Sequence, residues 1–165
     1  MAGFLCNGGV AGFAILREQK FVDFQSELAW KSLPLALLAT QRGLPIIQPV
    51  SINRRKAMEA YRAARPDAFV TVAYGIVFTP DVIAVPRLGS FNVHASLLPR
   101  YRGAAPIARA IQNGDRQTGV TVQRVVHEVD AGAILAQRAL EIGPEETAGE
   151  LSERLARLGA EILVP

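Results

Sequence analysis

The strongest constraint on this 165-residue chain is the alternation, through its second half, of short apolar runs with helix-patterned segments. Residues 69–74 (FVTVAY) form an apolar, β-branched run after Arg65, Pro66 and Asp67, which predicts a buried strand. Residues 89–95 (GSFNVHA) follow the turn signals Pro86 and Gly89 and predict a second strand. Residues 105–112 read as a helix with Pro106 in its first turn, where a missing N–H costs little. Asn113, Gly114 and Asp115 then end it. Residues 118–126 (TGVTVQRVV) alternate like a strand, and 133–142 (AILAQRALEI) predict its antiparallel partner across a turn at 127–132. Thr147 and Glu150 have capping-box spacing, and Leu151, Leu155, Leu158 and Ile162 recur behind them at helical intervals. Strands alternating with helices specify an α/β layered fold with a mainly parallel sheet, whose ligands lie at the carboxyl ends of the strands.

The first half carries fewer signals. Residues 33–42 predict a helix closed by Gly43, and residues 45–50 a short strand. Asn53 is placed to cap a helix running to Arg65, with Met58 and Tyr61 on its inner face. Residues 3–6 followed by Asn7, Gly8 and Gly9 read as a strand and turn entering a helix at Val10. That is not a G-x-G-x-x-G fingerprint, which argues against a dinucleotide site.

Composition narrows the function classes. The chain is 50% hydrophobic and 20% charged, enough apolar surface for one core. A single cysteine, Cys6, leaves no internal disulfide, and with only His94 and His127 beside it no metal site is expected. No basic region precedes the apolar stretch 1–16, and no run nears the ~18 apolar residues of a membrane span, so a cytoplasmic protein without membrane contact is expected. The net charge of +3 and pI near 9.4 suit a polyanionic partner. The arginines are scattered, however, and only Arg100 and Arg102 sit beside the candidate chemistry.

Asn92, His94 and Ser96 alternate along one predicted strand, so Asn92 and His94 share a face. Pro99 stops the strand, and residues 100–103 make a polar loop. An amide and an imidazole side by side at a strand's carboxyl end suit hydrogen-bond donation to a developing oxyanion. Each residue alone has a plainer reading: a packed strand histidine, an asparagine satisfying a turn, Ser96 capping a bend, Asp130 solvated in its turn.

The combination changes that balance. Residues 92–103, N-V-H-A-S-L-L-P-R-Y-R-G, resemble the signature N-x-H-x-S-L-L-P-x-x-x-G of 10-formyltetrahydrofolate-dependent formyltransferases, and residues 129–132 (VDAG) resemble that family's second motif. Residues 43–49 (GLPIIQP), 72–75 (VAYG), 88–98, 101–107 (YRGAAPI) and 147–151 (TAGEL) are similar to the forms found in methionyl-tRNA formyltransferases. The resemblance implies a Rossmann-like sheet flanked by helices, incomplete at the N-terminus, with residues 1–30 a divergent segment and 31–165 the catalytic domain. It implies formyl transfer from 10-formyltetrahydrofolate to the amine of initiator methionyl-tRNA. Asn92 and His94 would stabilise the oxyanion, with Asp130 orienting the imidazole. Ser96, Leu97, Leu98 and Pro99 match the tetrahydrofolate-binding stretch, and Tyr74, Gly75 and Ile76 the region of the pterin pocket. His127 is assigned a surface turn.

Two other readings stay open: a formyltransferase acting on a small amine such as glycinamide ribonucleotide or an amino sugar nucleotide, and a catalytically silent folate-binding remnant. Residues 129–137 (VDAGAILAQ) suit the small-amine reading too. Residues 1–27 match little of the family's opening strand, G-T-P-like turn and basic tRNA-contacting loop, and the sequence stops before the family's C-terminal barrel. The expectation is therefore a truncated or divergent copy with a weakened hold on tRNA.

Overall fold

The computed structural model describes residues 3–6, 12–16, 39, 41–44, 46–47 and 53–163. Among the described residues, seven strands make one sheet: β1 Gly3–Cys6, β2 Gly12–Leu16, β3 Ile46–Ile47, β4 Ala68–Val72, β5 Gly89–His94, β6 Gln117–Arg124 and β7 Ile134–Glu141. Their order is β3-β1-β2-β4-β5-β6-β7. The described helices are α1 Arg55–Ala64, α2 Pro80–Ile83, α3 Pro106–Gln112 and α4 Ala148–Leu163.

The α/β class is as expected, but the sheet is mixed rather than mainly parallel. Among the described residues, β1–β3 and β4–β5 pair in parallel and the other four pairings are antiparallel. Parallel neighbours need a crossover of a dozen or more residues. The β6–β7 connection is too short for one and makes a hairpin. Near the N-terminus, residues 12–16 continue as a strand antiparallel to β1, where a helix entering at Val10 was expected.

Local signals explain most helix ends. Gly43 has φ +63 and the Leu44 N–H donates to the Ala39 carbonyl at 2.8 Å, the left-handed turn that closes a helix. The expected helix 33–42 lies otherwise outside the described residues. The N-cap of α1 is Arg54 and not Asn53. The Asn53 side chain instead donates to the Val77 carbonyl at 3.1 Å and accepts from the Thr79 N–H at 3.2 Å, tying α1 to the loop after β4. The short α2, which periodicity did not reveal, starts on Pro80 after an extended Thr79.

The two sheet faces carry separate cores. On one, Ala57, Met58 and Tyr61 of α1 and Val82 of α2 pack with Phe69 and Phe78. Tyr61 and Phe69 meet edge to face, 5.7 Å between centroids. On the other, Leu151, Leu155 and Leu158 of α4 cover Val120, with Val93 and Ile107 and Ile111 of α3 beside them. Gly159 allows this approach, since a Cβ there would lie 3.0 Å from Val93 Cγ1. Among the described residues, no helix is long and apolar enough to cross a membrane, and no three His, Cys, Asp or Glu side chains cluster to hold a metal ion.

The expected capping box forms: the Thr147 N–H donates to Glu150 Oε2 at 2.9 Å, and the Glu150 N–H to Thr147 Oγ1 at 3.3 Å. Just before it, Glu146 accepts from the Gly143 N–H at 2.9 Å and from Arg154 at 2.8 and 2.7 Å. The Gly143 N–H, then Arg154, hold the Glu146 carboxyl below its ordinary value of 4.5. A depressed folded value means the contribution is fully present above the ordinary value and is lost as pH falls through the folded one. Glu146→Gln is expected to lower the urea midpoint at pH 7, with the gap to the parent chain narrowing as the pH falls below 4.5; equal midpoints at pH 7 would refute the assignment.

Candidate active site

Strand register builds the centre of the site. Asn92 on β5 lies opposite Thr71 on β4 and Gln123 on β6, and His94 lies opposite Thr121. Side chains opposite one another share a face, so Thr71, Asn92 and Gln123 form one polar row across three strands. Thr71 Oγ1 donates to Asn92 Oδ1 at 2.9 Å and fixes that side of the amide.

Asp130 arrives from a less obvious direction. Because β6 runs antiparallel to β5, the loop 125–133 leaves from the end of the sheet where β5 begins, and it must double back to reach His94. The Val125 N–H donates to the Ser90 carbonyl at 2.8 Å and the Arg124 N–H to the Ala133 carbonyl at 2.9 Å, pinning the loop's two ends. A register shift between Val122 and Gln123 marks a bulge at the same place. Gly132 is required there, because any Cβ would overlap the Arg124 carbonyl. Asp130 itself takes a left-handed backbone, φ +48.

The carboxylate is then gripped on both oxygens. Oδ1 accepts from Gln123 Nε2 at 2.7 Å and from Asn92 Nδ2 at 3.2 Å. Oδ2 accepts from the Gly103 N–H at 2.8 Å and lies 3.4 Å from His94 Nδ1. The other ring nitrogen, Nε2, is 2.9 Å from the Tyr101 carbonyl oxygen. A neutral imidazole carries one N–H, so only one of these two contacts is donated at a time. Asp130 takes one of the two N–H groups on Asn92 Nδ2, leaving one for a ligand. The His94 and Asp130 side chains are 8% and 11% exposed.

These groups border a cavity of about 880 Å³. Asn92, His94 and Asp130 line it, and so do Tyr74, Gly75 and Ile76 from the loop after β4. Ile76, Val77, Val126 and Val129 give its mouth an exposed apolar rim. His127, expected on a surface turn, is exposed there, with Nδ1 3.3 Å from the Phe78 carbonyl oxygen.

Ser96, Leu97, Leu98 and Pro99 are placed differently, and none of them lines the cavity. Ser96 and Leu98 are buried. The Ser96 hydroxyl donates to the Arg100 carbonyl at 2.6 Å, and the Ser96 carbonyl accepts from Thr121 Oγ1 at 2.7 Å. Thr121 Oγ1 also accepts from the Leu98 N–H at 3.2 Å and from Gln137 Nε2 at 2.8 Å, while Gln137 donates to the Leu98 carbonyl at 3.1 Å. The Leu98–Pro99 peptide is cis. Leu97 packs over Gly119, where an added Cβ would come within 2.5 Å of its Cδ2. These contacts tie the stretch after β5 to β6 and β7.

Thr71, Gln123 and the main-chain groups of Tyr101 and Gly103 were not singled out from the sequence. Thr71 and Gln123 did leave a trace, as polar residues inside the otherwise apolar runs FVTVAY and TVQRVV. Nothing in a single chain gives the register that sets them on either side of Asn92.

Residues 12–165 match the family model described as formyl transferase. The chain belongs to the formyl transferase family. A methionyl-tRNA formyltransferase of Methylococcus capsulatus is 50% identical over 131 residues, 79% of this chain and 42% of that protein. One from Thermotoga neapolitana is 45% identical over the same shares. The chain therefore spans about 42% of the length of these relatives. The solved glycinamide ribonucleotide transformylase 1 from Geobacillus kaustophilus matches with a TM-score of 0.69 at 24% identity, over 80% of this chain and 74% of that one, a likeness of fold.

Thr121→Val keeps shape and removes the hydroxyl that joins Ser96, Leu98 and Gln137. Leaving those buried groups unsatisfied is expected to lower stability by roughly 1–3 kcal/mol in urea denaturation. A change within error would mean that the 96–99 stretch does not depend on this hydroxyl.

Proposed function

We propose that this chain transfers a formyl group from 10-formyltetrahydrofolate to the α-amine of methionine carried by initiator tRNA, in the cytoplasm. The observation that carries the reading is the convergence of Asn92, His94 and Asp130 on one cavity, with donors grouped where an oxyanion can form. The cavity's size and the apolar rim of Ile76, Val77, Val126 and Val129 fit a flat heteroaromatic ring system, held near Tyr74, Gly75 and Ile76. The acceptor is inferred from the two methionyl-tRNA formyltransferases, which are far more similar in sequence than the transformylase.

In the proposed reaction the neutral amine forms a bond to the formyl carbon, and the carbonyl π pair moves onto oxygen. Asn92 Nδ2 donates to that oxyanion through the N–H that Asp130 leaves free, and the His94 imidazole joins it by exchanging one of its two ring contacts, with Asp130 or with the Tyr101 carbonyl, for the oxyanion. Collapse restores the carbonyl and breaks the bond to the leaving nitrogen of tetrahydrofolate. That nitrogen gains a proton as the attacking nitrogen loses one, so protons balance. Asp130 orients the imidazole and serves the proton transfer, directly or through water. Ser96, Leu97, Leu98 and Pro99 contribute by bracing the strand end that carries His94.

One oxyanion donor is typically worth about 2.7–4 kcal/mol, so Asn92→Ala and His94→Ala are each expected to lower kcat roughly 10²–10³-fold. The assay supplies 10-formyltetrahydrofolate with either charged initiator tRNA or glycinamide ribonucleotide. Formyl-methionyl-tRNA as the product supports the proposal. Formylation of the small amine alone would overturn the acceptor, and background rates shared by the folded parent chain and His94→Ala would favour a silent folate-binding module.

A further inference from the structure

The loop before α3 is held from outside by a cluster that the chemistry above leaves unused. Its backbone is left-handed at Tyr101 (φ +55), Gly103 (φ +79) and Ala105 (φ +57). Glycine adopts that conformation freely, whereas tyrosine and alanine persist in it only where their surroundings enforce it. For Tyr101 the enforcement is visible. Its hydroxyl donates to Asp115 Oδ2 at 2.6 Å and accepts from Asn113 Nδ2 at 2.9 Å. Arg100 Nη2 donates to both oxygens of Asp115, at 3.0 and 2.9 Å, and its guanidinium lies 5.2 Å from the Tyr101 ring centroid. Asp115 is fixed in turn, because its N–H donates to the Ala110 carbonyl at the end of α3. The far end of α3 thus clamps the loop that leads into the helix.

The clamp has a consequence inside the site. With its ring anchored outward, Tyr101 presents its carbonyl oxygen 2.9 Å from His94 Nε2. Two residues on, the same loop presents the Gly103 N–H to Asp130. We propose that Asp115 is a positioning residue for His94: by anchoring the Tyr101 hydroxyl it maintains the left-handed backbone that aims the Tyr101 carbonyl at the imidazole. The Asp115 side chain is 14% exposed, and its carboxyl is held below its ordinary value, first by the Tyr101 hydroxyl and then by Arg100, so it stays an acceptor for both. The inference deepens, and rests on, the formyl-transfer reading of the site.

The test uses Asp115→Asn and Tyr101→Phe, each checked for folding by circular dichroism. Both are expected to lower kcat roughly ten- to a hundredfold with KM for either substrate nearly unchanged, as misplacement of a reacting group does. The two effects should not multiply in the double variant, because each removes the same anchor. Tyr101→Gly, which adopts the left-handed backbone without an anchor, should retain more activity than Tyr101→Ala. The decisive readout is the ¹⁵N resonance of the His94 ring in the folded protein. It should move in Asp115→Asn and in Tyr101→Phe, while that of His127 stays fixed. A His94 resonance unmoved in either folded variant overturns the proposal, whatever the rates do. Absence of formyl transfer by the parent chain would overturn the functional reading instead, and the resonance comparison would still decide the clamp.

Discussion

Two separately built parts of the molecule meet on the carboxylate of Asp130. The sheet supplies Asn92, Gln123 and His94, and the loop before α3 supplies the Gly103 N–H. A carboxylate this buried is costly unless its oxygens are satisfied, so the donors and the acid stabilise one another's placement. The geometry runs both ways. The left-handed turn at Asp130 and the contact of Gly132 with the Arg124 backbone have no purpose in a plain hairpin. They hold because the carboxylate fills a place already surrounded by N–H groups.

Strand β6 supplies much of that surrounding, through the simple period of two. Its side chains at Thr121 and Gln123 face the site: Gln123 holds the acid, and Thr121 fastens the turn that follows β5. The neighbouring Val120 faces the other way, into the core beneath α4. Slipping β6 by one residue against β5 would send both polar groups into the α4 core and the valine into the site. Apolar burial on one face therefore fixes the register that polar chemistry uses on the other. Gly119 takes part in the same way, since a side chain there would collide with Leu97 and with the backbone of β7.

How much of this was legible in the sequence depends on the range of the interaction. Periodicity and turn residues located β4 to β7, α3 and α4 closely, and the Thr147/Glu150 cap formed as spelled. Asn92 and His94 were recognisable as a pair because alternation is a local rule. The mixed pairing of the sheet was not, because parallel or antiparallel neighbours are settled by the whole fold and not by any one strand. Asn53 illustrates the same limit: a good capping residue was diverted to Val77 and Thr79, partners 24 and 26 residues away. The four residues 96–99 read as a ligand-contacting stretch from their own order, whereas the bonds from the Ser96 carbonyl and the Leu98 backbone to Thr121 and Gln137 depend on where β6 and β7 lie.

The strained backbone points the same way. Among the described residues, non-glycine positive φ occurs at Arg65, Ala73, Tyr101, Ala105 and Asp130. Arg65 ends a helix, where a left-handed residue is ordinary. The other four surround the cavity: Ala73, Ala105 and Asp130 line it, and Tyr101 touches His94. Each such residue costs roughly 1–3 kcal/mol, and they persist only where neighbouring contacts over-determine them. Here the over-determination is visible for Tyr101 in its Asp115 anchor and for Asp130 in its three N–H donors. A site whose donors are fixed before any ligand enters has little reorganisation left to do when charge develops. Strain concentrated around one cavity, and offset by hydrogen bonds from β5, β6 and the α3 loop, is the physical form that preorganisation takes in this chain.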